Sequence, residues 1–262
     1  MNAAQGGMPT PWMNKVPEIT LYFWIIKIMA TTVGETAADF LAVDLHFGLS
    51  MTSAVMAALL LGFLTLQLRS TRYVPWLYWT TVVLVSVVGT LITDNLVDHL
   101  GVRLETATLA FGAGLLVTFA VWYAVERTLS IQTICTPRRE LFYWAAILLT
   151  FALGTAAGDL SAESLGLGYA YSAAACGALI LMVAAARYGL GMNSVIAFWL
   201  AYILTRPFGA SFGDLLSKSA AEGGVGLGAT GTSALFFAVI AALVVYLTVS
   251  GRDAQRSAAD LR

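Results

Sequence analysis

The sequence predicts an all-α polytopic membrane protein. Eight transmembrane helices are expected, arranged as four parallel two-helix repeats that pair into two four-helix halves. Three observations predict this class. Of the 262 residues, 59% are hydrophobic and only 11% charged, whereas soluble domains carry about 25% charged residues. The apolar residues gather into stretches long enough to cross a bilayer, which takes about 20 residues in a helix. A register of tryptophan, glycine and aspartate recurs four times along the chain.

The apolar stretches run roughly over 19–43, 50–69, 74–98, 104–126, 140–164, 168–187, 192–217 and 229–250. Short connections between them leave no room for a soluble domain. The expected organisation is a flexible tail over 1–17, a first half over 18–127, a second half over 128–251 and a closing tail over 252–262. The opening "MNAAQGGMPTPWMNKVPEI" has neither the basic start nor the short apolar core of a signal peptide. Lys15, Arg69, Arg72, Arg127, Arg138, Arg139, Arg187, Arg252, Arg256 and Arg262 fall on the side shared by the two termini. Only Arg103 and Lys218 fall near the other side. The excess of positive charge in cytoplasmic loops then places both termini in the cytoplasm, as an even number of spans requires.

The net charge of −1 comes without a basic patch, which excludes nucleic acid as a partner. The bilayer is the expected partner, and whether copies assemble into a homo-oligomer is left open. Cys135 and Cys176 are the only cysteines and form neither a metal-ligand spacing nor a disulfide framework.

Trp24, Trp79, Trp144 and Trp199 each precede a glycine by ten residues: Gly34, Gly89, Gly154 and Gly209. Each glycine precedes an aspartate by five: Asp39, Asp94, Asp159 and Asp214. This W-x9-G-x4-D pattern sits once in every odd-numbered span. Each even-numbered span follows a glycine turn, as in "FGLSMTS" and "LGLGYAYSA". Because each repeat is two helices long, successive repeats enter the membrane from the same side. They are therefore related by an axis along the membrane normal. The odd helices are expected to surround that axis, and the uniformly apolar even helices to face lipid.

On these residues the chain resembles a family of bacterial membrane proteins built from four tandem two-helix repeats, each with a marker tryptophan. That family is defined as a repeat of unknown function. The resemblance implies a bacterial inner (plasma) membrane protein and no particular activity.

Function must then be argued from the polar residues inside the spans. Residues four apart share a helix face, and at that spacing the odd helices carry polar stripes. The first is Lys27, Thr31, Glu35 and Asp39, followed by Ser86, Thr90, Asp94 and Asp98 on the second odd span. The third is Thr155, Asp159 and Glu163, and the fourth Arg206, Ala210, Asp214 and Lys218. A charge at mid-bilayer costs at least about 2.5–3.5 kcal/mol, so these carboxylates must face one another, a cation or water. Glu35 stands where the other repeats have Thr90, Thr155 and Ala210, so repeat symmetry does not demand it.

The expected cation ligands are Glu35, Asp39, Asp94, Asp159 and Asp214. Lys27, Thr31, Asp98, Glu163 and Arg206 are expected as supporting or charge-balancing groups, with Lys27 and Arg206 read as salt-bridge partners. The tryptophans are expected as packing or interfacial residues, and the glycines as sites of close approach or local unwinding. Pro207 is expected to kink the seventh span.

Oxygen ligands suit hard cations. The favoured function is a secondary transporter of a divalent metal cation, Mn²⁺ first, coupled to protons and with no resident cofactor. The alternatives are a channel or transporter for another small cation, or a non-transporting scaffold or sensor whose buried charges hold helices together. Neither a Ser/His arrangement nor an HExxH motif occurs, so no catalytic residue and no enzyme activity are expected.

Overall fold

The computed structural model describes residues 14–164 and 166–253. Most of the two expected tails, with Arg256 and Arg262, lies outside the described residues, as do the side chains of Asp44, Glu163 and Ser164. The described chain forms eight α-helices: α1 (Leu21–Asp39), α2 (Gly48–Arg69), α3 (Pro75–Asp94), α4 (Leu104–Glu126), α5 (Pro137–Asp159), α6 (Tyr169–Gly189), α7 (Ser194–Ser217) and α8 (Gly228–Ser250).

Local chemistry sets the helix starts. The side chains of Thr20, Thr136 and Asn193 accept hydrogen bonds from the first backbone N–H groups of α1, α5 and α7. Pro75 and Pro137 begin α3 and α5, where a missing N–H leaves no bond unmade. The turns leading into the even helices use glycine in the left-handed region, with φ of 73° at Gly48, 66° at Gly101, 76° at Gly168 and 75° at Gly228.

Seven of the eight helices are long and apolar enough to cross a membrane. The exception is α1, whose apolar content is reduced by Lys27 and Glu35. The same polar groups are enclosed by the other helices of the bundle, so this helix need not show them to lipid.

Glycines set the packing of the odd helices. A Cβ on Gly34 would come closer than 3.0 Å to Ser86, on Gly89 to Phe151, on Gly154 to Arg206, and on Gly209 to Thr31. Thr31, Ser86, Phe151 and Arg206 each lie seven residues after their own repeat's tryptophan. The same contact therefore occurs four times, α1 on α3, α3 on α5, α5 on α7 and α7 on α1, and closes a ring. Close backbone approach is the role of small residues between membrane helices. It is also the role these four glycines play, rather than local unwinding.

Each even helix packs most closely on the odd helix of the next repeat: α2 on α3, α4 on α5, α6 on α7 and α8 on α1. Over their most apolar stretches the even helices are only 17, 11, 11 and 22% buried, against 56, 61 and 56% for α3, α5 and α7. The even helices are the outer layer.

α7 runs as one helix from Ser194 to Ser217 across Pro207, the residue expected to kink it, with Pro207 packed against Gly154. The irregular backbone lies elsewhere. Phe40–Asp44, Asn95–His99 and Leu160–Ser164 continue α1, α3 and α5 as π-helical turns, each beginning directly after the aspartate of its repeat. The fourth repeat has no such turn, and α7 ends at Ser217.

Candidate cation site

The centre of the ring is held by one guanidinium. Arg206 is fully buried, and its Nη2 donates to Glu35 Oε2 at 2.9 Å, to Thr155 Oγ1 at 2.7 Å and to Thr90 Oγ1. Its Nη1 donates to the Thr31 carbonyl at 2.8 Å. Thr90 in turn donates to Glu35 Oε2 at 3.2 Å. Four helices thus contribute to one knot, and the expected salt bridge of Arg206 is present. Thr31 serves through its carbonyl, since its hydroxyl donates to Ile28 of its own helix at 2.5 Å.

Beyond this knot, toward the aspartate ends of the helices, lies a cavity of about 220 Å³. Glu35, Asp39, Asp94, Asp98, Asp159 and Asp214 line it together with Lys218. Glu35 and Asp214 are each 6% exposed. Asp39, Asp94 and Asp159 are half-buried, and Asp98 is exposed at the rim. One carboxylate oxygen from each of Glu35, Asp159 and Asp214 lies within 4.8 Å of the other two. Lys218 Nζ approaches Asp39 Oδ2 at 3.5 Å. All five residues expected as ligands therefore reach one cavity. The side chain of Glu163 lies outside the described residues, although its backbone belongs to the π-helical turn after Asp159.

Lys27 departs from its expected role. Its side chain is 1% exposed and forms no ion pair or hydrogen bond among the described residues. Nζ lies 4.0 Å from the ring centroid of Phe151 and 4.3 Å from that of Tyr202. Glu35 lies two turns further along α1 and is engaged by Arg206, so no carboxylate remains for this lysine.

Toward the tryptophan ends the axis is filled with rings. Phe23, Tyr78, Tyr143 and Phe198 each directly precede the repeat tryptophan, and all four are buried. Tyr78 and Tyr143 share a hydroxyl–hydroxyl hydrogen bond of 2.5 Å. Trp79, Trp144 and Trp199 are buried among them, which makes them packing residues, while Trp24 is only partly covered. At this end Lys15 is not a free basic residue, because its Nζ pairs with the buried Glu140 at 2.7 Å. Gln67 also donates to Glu140, at 3.2 Å. Just past α8, burial raises the Asp253 carboxyl above the ordinary carboxylate range, against the opposing effect of the Tyr73 hydroxyl that donates to it.

The fourfold recurrence settles the family. The chain belongs to the DUF347 family, the Repeat of Unknown Function. Its matches cover residues 22–73, 77–128, 142–191 and 197–253. Every match of this repeat opens two residues before a tryptophan, so the register read from the sequence is the register of the family. No curated protein and no solved structure matches the chain. The family description names no activity, and the chemistry of the site stands on its own geometry. The spans and the site together make this a multi-pass membrane protein with a buried acidic cluster.

Sequence reasoning missed the aromatic end of the ring and the Lys15–Glu140 pair. The first had a visible signal, since "FW", "YW", "YW" and "FW" occupy the same position of the four repeats. The second had none, because Lys15 and Glu140 are separated by 125 residues. Thr90 and Thr155 were legible as stripe residues, but not as partners of Arg206.

Proposed function

We propose that the protein is a secondary transporter of a hard divalent metal cation, Mn²⁺ in the first instance, exchanged against protons. The observation that carries this reading is the convergence of Glu35, Asp159 and Asp214 from three different ring helices, with oxygens within 4.8 Å of one another. Asp39, Asp94 and Asp98 add further carboxylates to the same cavity, against Lys218 alone as a lining cation among the described residues. Carboxylates this close cannot all ionise without a positive partner, which a metal ion or protons supply. No thiol, thioether or imidazole lines the cavity among the described residues, and an all-oxygen set favours Mn²⁺, Mg²⁺ or Ca²⁺ over copper or zinc.

The geometry favours a transporter over an open channel. The cavity opens toward one end of the ring, while Arg206 and the aromatic side chains fill the axis at the other. A cation would cross only after that packing rearranges, as alternating access requires. In this reading α1 completes an even set of eight crossings, both termini are cytoplasmic, and the site is reached from the outer face of a bacterial inner membrane.

One observation favours a second reading. The two terminal nitrogens of Arg206 bind groups on α1, α3 and α5, so the knot could serve to lock four helices, with the acidic cavity as its solvated rim. Proteoliposomes loaded by an imposed pH gradient separate the two. Mn²⁺ uptake by the wild type should fall to background in Glu35→Gln and Asp159→Asn variants that still purify as folded protein. Binding should also weaken as pH falls, because protons and metal compete for the same oxygens. Uptake by the wild type no higher than in protein-free liposomes would leave the scaffold reading, and equal uptake by all three proteins would make the carboxylates structural.

A further inference from the structure

Lys27 is a buried charged residue of the ring that the cation site does not use and that forms no ion pair among the described residues, and its surroundings are unusual for a lysine. Its ammonium position is almost wholly buried, faces two aromatic rings and has no hydrogen-bond partner among the described residues. Arg206 lies against the same Phe151 ring, with its Cζ 5.3 Å from the centroid. Two basic groups thus share one ring, and only one of them has a carboxylate.

We propose that Lys27 is a proton-binding site separate from the carboxylates, and that it gives up its proton when a cation takes Glu35 away from Arg206. The inference rests on the transport reading and names how its protons are coupled. With the cavity empty of metal, Glu35 answers the charge of Arg206, and the layer can hold a proton on Lys27 between the two rings. When a divalent cation claims Glu35, Arg206 loses its counter-charge. Two uncompensated positive groups against one ring are then opposed by Coulomb repulsion in a region poor in water. Arginine does not release its proton in proteins, whereas a buried lysine exchanges its own readily. Lys27 is therefore the group that yields, and a cage of aromatic faces accommodates the resulting neutral amine.

The other titratable groups around Lys27 leave this assignment intact. Tyr202 of α7 faces Lys27 and Arg206 shares its Phe151 ring, and the ring helices also carry Tyr78 and Asp94 on α3, Tyr143 and Asp159 on α5, and Asp214 on α7. On α1 itself the nearest is Glu35, and α8 contains no Asp, Glu, Lys, Arg or His. Every carboxylate in this set lies on the cavity side of Arg206. Ser86 stands at the repeat position of Phe151 and Arg206, and its hydroxyl is buried without a partner among the described residues. Thr90 follows one turn along α3 and reaches Glu35. These two hydroxyls offer the proton a way to water in the cavity.

The test counts protons. Purified full-length protein in weakly buffered detergent solution is titrated with MnCl₂, and bound Mn²⁺ and released H⁺ are measured together. Lys27→Met should still bind Mn²⁺ but release about one proton fewer per ion than the wild type. Lys27→Arg keeps a cation against the rings and cannot deprotonate. It should also release about one proton fewer and bind Mn²⁺ at least about tenfold more weakly. It tests the inference even where the methionine variant fails to fold. A wild-type proton count in either variant overturns the proposal, because a merely structural cation–π contact would be preserved by arginine. A wild type that binds no Mn²⁺ overturns the cation reading and this inference with it. Binding with an unchanged proton count in Lys27→Met overturns this inference alone.

Discussion

The four ring helices present two different chemistries along one axis. On the aspartate side of Arg206 they line a cavity with six carboxylates. On the tryptophan side the same helices bring together buried Phe, Tyr and Trp side chains that fill the axis. Both ends derive from one repeated segment, so the contrast is written into each repeat as an aromatic start and an acidic finish. Symmetry alone would make each layer a ring of four like residues. Symmetry fails at Glu35 in the first repeat and Arg206 in the fourth, and these two meet at the inner end of the acidic cavity. The repeat builds the enclosure and its aspartates, and the two exceptions add the ion pair that closes it.

The sharpest way to break this arrangement is to remove the guanidinium that divides the halves. Arg206→Ala leaves Glu35 buried without its partner, and loss of one member of a buried pair costs about 3–5 kcal/mol. Thermal unfolding in detergent should show a larger drop for this variant than for any other single substitution in the ring. The double variant Glu35→Gln/Arg206→Met should recover part of that loss. A double variant no more stable than Arg206→Ala would mean that the pair does not act as a unit.

The ring contact comes next. A Cβ at Gly154 would collide with Arg206, and overpacking of this kind costs about 1–3 kcal/mol. Gly154→Ala should lower the unfolding temperature, whereas Gly62→Ala should leave it unchanged, because nothing lies within 4 Å of that position. Equal behaviour of the two would argue against the closed ring.

On the aromatic side, Tyr143→Phe removes the hydroxyl bonded to Tyr78 and should cost about 1 kcal/mol without altering Mn²⁺ binding. A large loss of binding in this variant would erase the distinction between the two halves. The smallest effect is expected at the rim. Asp98 is exposed, and exposed charges contribute about 0–1 kcal/mol. Asp98→Asn should therefore change Mn²⁺ affinity by no more than about fivefold, as read by calorimetric titration.

What was legible in the sequence follows the same division. The eight helices, the inner and outer layers and the convergence of the aspartates could be read because hydropathy and repeat register are local properties of the chain. The partners of individual charges could not. Lys27 and Arg206 lie in the polar stripes of two different helices, yet Arg206 meets a carboxylate and Lys27 meets aromatic rings. The choice depends on which helix follows which around the ring, a fact that the fourfold register leaves undetermined. Pro207 shows a similar limit. A proline inside a span reads as a kink, but α7 runs on as a helix past it, with Gly154 facing its ring. The π-helical turns after Asp39, Asp94 and Asp159 have no composition signal, since they consist of a change in hydrogen-bond pattern within an otherwise helical sequence.

The claim that these acids form one cation site on the ring axis is tested most directly by locating the ion. Crystals or vitrified particles of the full chain prepared with millimolar Mn²⁺ should show a single strong density, anomalous in the crystal case. It should be coordinated by oxygens of Glu35, Asp159 and Asp214, and it should vanish in Glu35→Gln. A cavity without ordered Mn²⁺ under these conditions, or an ion bound away from these three carboxylates, would contradict the account.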